Sequence, residues 1–124
     1  MREPRPGVEW SQRRAAIRRD YDVYMSSQAW YKRRRQWLSE YQDATGKSPV
    51  CVVCGEAWKL SRDDLHHRSY HKLGHEDFMD LVPMCRACHN RLHVLLDKNP
   101  EWKHFHHEQA TDMLTAYMRK EATK

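Results

Sequence analysis

The fold turns on the stretch Asp80-Leu81-Val82-Pro83-Met84-Cys85-Arg86-Ala87-Cys88-His89-Asn90-Arg91-Leu92-His93. Cys85-x-x-Cys88 presents two thiols from one tight turn, and a matching pair, Cys51-x-x-Cys54, lies upstream across an interval of 30 residues. Two such knuckles complete a tetrahedral zinc site of four thiolates, which has no open coordination position and is therefore structural. From about Arg86 to Leu96, Leu92, Leu95 and Leu96 recur on one side and predict a helix. His89 and His93 then stand at i and i+4 on one face, a spacing that suits two ligands of one divalent ion.

Working upstream, Val50, Val52 and Val53 around the first cysteine pair predict a short hairpin or knuckle, and Leu65 to Ser69 a further strand. Neighbouring side chains of a strand point to opposite faces, so His66 and His67 diverge. Twist and loop geometry can still bring both to one cleft, one as a third metal ligand and the other as a base. An unperturbed imidazole titrates near ~6.5, which suits proton abstraction from water at neutral pH. A second arrangement competes for the same residues. Cys51-x-x-Cys54, 12 residues and His67-x-x-x-His71 match the spacing of a C2H2 zinc finger, with Trp58 as its aromatic. That arrangement misplaces Leu65 and leaves Cys85 and Cys88 unexplained.

Composition sets the frame around these motifs. The chain has 124 residues, of which 40% are hydrophobic, and its mean hydropathy is −1.02. So thin a core calls for a second source of stability, such as metal or disulfides. No run of 18 apolar residues exists, which excludes a membrane-spanning helix. Met1 to Trp10 has no apolar segment of the secretory kind, so the expected compartment is the reducing cytoplasm, where cysteines serve as metal ligands. Net charge is +5, and residues 1–49 hold the whole excess, with 11 Lys and Arg against 6 Asp and Glu. That asymmetry fits contact with a polyanion or, equally, a solvated helical surface.

The basic region reads as helical. Pro4, Pro6 and Gly7 mark a disordered arm, and Ile17, Tyr21, Tyr24 and Met25 fall at helical spacing between Ser11 and Met25. Ser27 is a fitting N-cap for a second helix, with Gly46 as its C-terminal stop. Trp30, Trp37, Leu38, Tyr41 and Ala44 line one side of that helix. Lys32 and Arg35 point away from this stripe, Arg33 lies at its margin, and Arg34 falls inside it and must snorkel. At the other end, Asn99 and Pro100 are expected to start a last helix with a rough stripe of Trp102, Phe105, Gln109, Met113 and Ala116.

The run from Leu65-His66-His67-Arg68-Ser69-Tyr70 through Leu73-Gly74-His75-Glu76 to the stretch between Asp80 and His93 resembles an HNH endonuclease. It is similar to the zinc-knuckle type found in phages and in McrA-like restriction proteins. The resemblance covers about residues 51–93, with a looser likeness of Tyr24 to Leu38 to the helical lead-in of such proteins; it leaves out the C-terminal helix. It implies an α+β fold with a ββα-metal (His-Me) finger and a four-cysteine zinc knuckle, to which the spacing above adds flanking N-terminal helices and one C-terminal helix. Together with the composition and helical spacing above, it divides the chain into an arm over 1–9, a basic helical lead-in over 10–48, an HNH domain over 49–98 and a C-terminal helix over 99–124.

Carried over residue by residue, the resemblance makes His66, His89 and His93 the ligands of a catalytic divalent ion and His67 the general base. Asp80, where the family has its Asn, would orient that base. Tyr70, Glu76 and Arg68 would take supporting roles. Cys51, Cys54, Cys85 and Cys88 would hold the structural zinc. The implied activity is hydrolysis of DNA phosphodiester bonds, leaving a 5′-phosphate and a 3′-hydroxyl. A single centre cuts one strand per event, so nicking is expected. Zinc, nickel or cobalt suits three imidazoles, while magnesium or manganese can work with phosphate and water completing the shell. The expected partner is double-stranded DNA, held through Lys32, Arg33 and Arg35, with no membrane contact and with phage packaging proteins as further partners. Two other classes fit part of the pattern: a non-catalytic zinc-finger DNA-binding module, and a phage assembly or packaging accessory.

Overall fold

The structure is a computed structural model that describes residues 19–99 and 105–122. The arm expected over 1–9, the start of the first helix, Pro100 and Trp102 lie outside the described residues. The architecture is α+β. A helical segment over 19–25 leads into α1 (Gln28–Thr45), followed by β1 (Asp64–His67), a 3-10 turn (Phe78–Asp80), β2 (Leu81–Met84), α2 (Arg86–Lys98) and α3 (His107–Ala122).

Local chemistry sets the ends of α1. Ser27 is extended and its Oγ accepts from the Trp30 N–H at 3.2 Å, satisfying one of the unpaired amides of the first turn. The helix stops at Gly46, whose φ of 68° is left-handed and whose N–H reaches the Gln42 carbonyl at 2.8 Å. Trp30 and Trp37 are buried. Trp37 meets Trp58 edge-on at 5.3 Å and stacks on Phe78 at 5.8 Å, and with Leu65 and Leu81 these rings form the core between α1 and the hairpin. Arg34 sits in the apolar stripe, as expected, and its guanidinium caps the carbonyls of Leu60 and Asp63 at 2.8 and 2.7 Å.

β1 and β2 pair antiparallel with Asp64 opposite Met84 and His67 opposite Leu81. The strand predicted over Leu65 to Ser69 thus begins one residue earlier and ends at His67. Two-residue alternation sorts the side chains of β1 between two layers. Leu65 and His67 face the tryptophans of α1, while Asp64 and His66 face α2. The second core packs Cys51, Met84 and Leu92 against Leu114 and Met118 of α3.

The C-terminal helix departs from expectation. It begins at His107 rather than at Asn99, which closes α2 instead. Its buried face is Ala110, Thr111, Leu114, Thr115 and Met118, whereas Met113 and Phe105 are 49% and 44% exposed. The predicted stripe was one residue out of phase because two of the five buried positions are threonines.

Candidate metal centres and the buried histidine

Cys51, Cys54, Cys85 and Cys88 place one sulfur each within 4.8 Å of one another, and all four are free thiols. Backbone geometry makes the two knuckles. The Gly55 N–H closes the first turn onto the Cys51 carbonyl at 3.0 Å, with Gly55 at a φ of 78°, a conformation open to glycine at little cost. Cys85 caps α2, its sulfur accepting from the Cys88 N–H at 3.4 Å. Burial pushes the Cys51 thiol up, but the amides of Cys54, Cys85 and Val53 outweigh it and bring the thiol to about 7. A donor set of four convergent sulfurs fits a structural metal ion. His71 joins neither group of convergent ligand atoms among the described residues, so the C2H2 arrangement is not the one adopted.

His66, His89 and His93 form a second group, again with ligand atoms within 4.8 Å. Nδ1 of His66 lies 3.3 Å from Nε2 of His89, which lies 3.0 Å from Nε2 of His93. The outward nitrogens of two of the three rings are held. Nδ1 of His89 faces Oδ2 of Asp64 at 3.0 Å, and Nε2 of His66 faces Oγ1 of Thr111 at 2.9 Å. Burial, then the crowding of the His89, His107, His93 and His67 imidazoles, beside which a further positive charge is unfavourable, keeps His66 well below the ordinary imidazole range. Burial and His89 lower His93 too. Both rings are therefore neutral at pH 7, the form that ligates metal.

His67 lies on the face of β1 opposite His66, toward α1. Its ring sits 4.7 Å from Trp30, with Tyr21 edge-on at 5.9 Å and Tyr70 stacked at 6.1 Å. Its side chain is 1% exposed. Nε2 pairs with Oε2 of Glu76 at 2.8 Å, and Nδ1 is buried without a partner among the described residues. Tyr24 donates to the other oxygen of Glu76 at 2.9 Å. Burial works to raise the Glu76 carboxyl, but the hydrogen bonds from His67, its own backbone and Tyr24 hold it below the ordinary carboxylate range.

The carboxylate that orients His67 is thus Glu76 and not Asp80. Asp80 is occupied elsewhere: its Oδ2 accepts the Asp77 N–H at 2.9 Å and caps the 3-10 turn. Spacing from His67 could not choose among the carboxylates of Glu76, Asp77 and Asp80. Asp64 and Thr111 escape sequence reading as well, since they meet His89 and His66 across 25 and 45 residues and leave no local pattern.

The basic face of α1 needs one correction. Arg33 is not free for a polyanion: Nη1 and Nη2 each contact Glu40 at 3.1 Å, and Nε donates to the Glu76 carbonyl at 3.1 Å. Lys32 and Arg35 are exposed. Among the described residues no helix is long and apolar enough to cross a membrane.

These features define an α+β protein with two separate groups of side chains able to hold metal and a buried histidine–glutamate pair between α1 and β1. No protein-family model, curated protein or solved structure matches the chain.

Proposed function

We propose that the protein is a metal-dependent DNA endonuclease of the HNH type, with β1, β2 and α2 as its ββα-metal finger. The observation that carries this reading is the division of labour on β1. One histidine of the pair joins two imidazoles from α2, while its neighbour is held by Glu76 and keeps a free nitrogen.

An ionised carboxylate can only accept, so Glu76 fixes the proton of His67 on Nε2 and leaves Nδ1 as the basic nitrogen. In the proposed reaction Nδ1 takes a proton from the attacking water, and Glu76 stabilises the imidazolium that forms. Because the His67 side chain is almost fully enclosed, substrate binding has to open the cover that Tyr21 and Tyr70 make over it. His66, His89 and His93 would hold the catalytic ion, which when bound supplies Lewis-acid stabilisation of charge on the phosphate and the departing oxygen. Magnesium, manganese, nickel and zinc are all candidates for that ion. Zinc is the ion we assign to the four cysteines. Exposed Lys32 and Arg35 would grip the backbone of the duplex without reading its sequence. Nicked DNA with a 5′-phosphate and a 3′-hydroxyl is the proposed product, made in the cytoplasm of a bacterial or phage-infected cell.

Incubating the zinc-replete protein with supercoiled plasmid and each added divalent ion tests the proposal. Conversion to the open-circle form is expected. Tight DNA binding with no cleavage under any ion would support a non-catalytic zinc-finger module instead.

A further inference from the structure

α3 lies outside the hairpin and helix that supply the three convergent histidines, yet it reaches into them. Ala110, Leu114 and Met118 dock it on the core, Nε2 of His107 bonds the His67 carbonyl at 2.8 Å, and Oγ1 of Thr111 meets Nε2 of His66 at 2.9 Å. Thr111 is 1% exposed, so this contact is made away from water.

The nitrogen of His66 that converges with His89 and His93 is Nδ1. A neutral imidazole ligates through the nitrogen that carries no proton, so ligation here requires the proton on Nε2. For His89 the matter is settled by Asp64, which can only accept from Nδ1–H and leaves Nε2 as the ligand atom. For His66 the partner is a hydroxyl, which can donate or accept.

We propose that Thr111 is a positioning residue for the histidine cluster: its hydroxyl accepts the Nε2–H of His66 and so turns Nδ1, lone pair first, toward a bound divalent ion. The C-terminal helix is then part of the metal centre although no metal ligand lies on it. This rests on the reading of the three histidines as a metal site. Removing an acceptor of this kind weakens metal binding by ~10–100-fold in sites where the effect is known.

The test uses the full chain with zinc already in the four-cysteine site and cobalt(II) added as the probe, followed by its visible absorption. Thr111→Val, close in shape but without the hydroxyl, should lower cobalt affinity at the histidine site by ~10–100-fold. Thr111→Ser should restore it to near the wild-type value, with zinc at the cysteines unchanged in both variants. A folded Thr111→Val protein that binds cobalt as tightly as wild type overturns the proposal. A wild type that takes up no cobalt while keeping its cysteine-bound zinc overturns the metal-site reading itself, a result distinct from equal binding by both proteins.

Discussion

The cysteine knuckles and the histidine cluster meet on α2, where Cys85, Cys88, His89 and His93 fall within nine residues, but they are supported differently. Backbone turns hold the sulfurs: the Cys88 N–H reaches the Cys85 sulfur, and the Gly55 N–H closes the turn begun at Cys51. Side chains from elsewhere in the chain hold the imidazoles, Asp64 behind His89 and Thr111 behind His66. A closed group supported by its own turns suits permanent structure. A group of three, dependent on distant partners, suits an ion that comes and goes.

The sharpest way to break that contrast is to remove one thiol. Cys51→Ser or Cys85→Ser should lose the structural ion and unfold or aggregate, because such an ion contributes ~10 kcal/mol or more to folding, as much as the whole stability of an ordinary domain. Zinc content together with circular dichroism reads the outcome, and a well-folded, zinc-free Cys51→Ser protein would contradict the assignment.

Removing the proposed base should leave the fold and both metal groups in place. Glutamine is the replacement of choice at His67, since alanine would strand the buried Glu76 carboxylate at a cost of ~1–3 kcal/mol. His67→Gln is expected to slow cleavage by ~10²–10⁴-fold with unchanged ion content. Cleavage at the wild-type rate would remove His67 from the mechanism.

A smaller effect is expected at the basic face. Replacing Lys32 and Arg35 by Gln should weaken DNA binding and flatten its salt dependence, by roughly 0.9 in the log–log slope for each phosphate no longer neutralised. Arg33 is left out because it braces Glu40 and the Glu76 carbonyl. An unchanged slope would show that α1 presents only a solvated face.

The mildest effect is acid sensitivity. Burial first, and then neighbouring imidazoles, hold His66 below its value in an unfolded chain. The unfolded state therefore binds more protons, and the stability due to neutral His66 is complete above ~6.5 and is lost as pH falls below it. The melting temperature of the protein with only its cysteine site filled should drop between pH 6.5 and 5.5, and drop less in His66→Asn. Parallel curves for the two proteins would show that His66 is not held neutral.

The same contrast explains what the sequence made legible. Ser27, Gly46 and the C-x-x-C pairs act on neighbours within a few residues, so their chemistry can be read directly; so can the i, i+4 spacing of His89 and His93. Glu76 and Asp80 lie four residues apart on one loop, and only the path of that loop decides which carboxylate reaches His67. Thr111 and Thr115 are buried on α3 because they hydrogen-bond, and polar side chains at core positions put a hydrophobic stripe out of phase.

The central claim is that the cysteines hold a permanent ion and the histidines an exchangeable one on which cleavage depends. Its most direct test is to titrate a divalent ion into protein that already holds one zinc, counting bound metal and plasmid nicking in the same samples. Nicking is expected to rise in step with a second bound ion, and replacing His89 and His93 together with Gln is expected to abolish both while the first zinc stays. Nicking by protein that holds only the cysteine-bound ion, or a double variant that still binds the second ion, would contradict it.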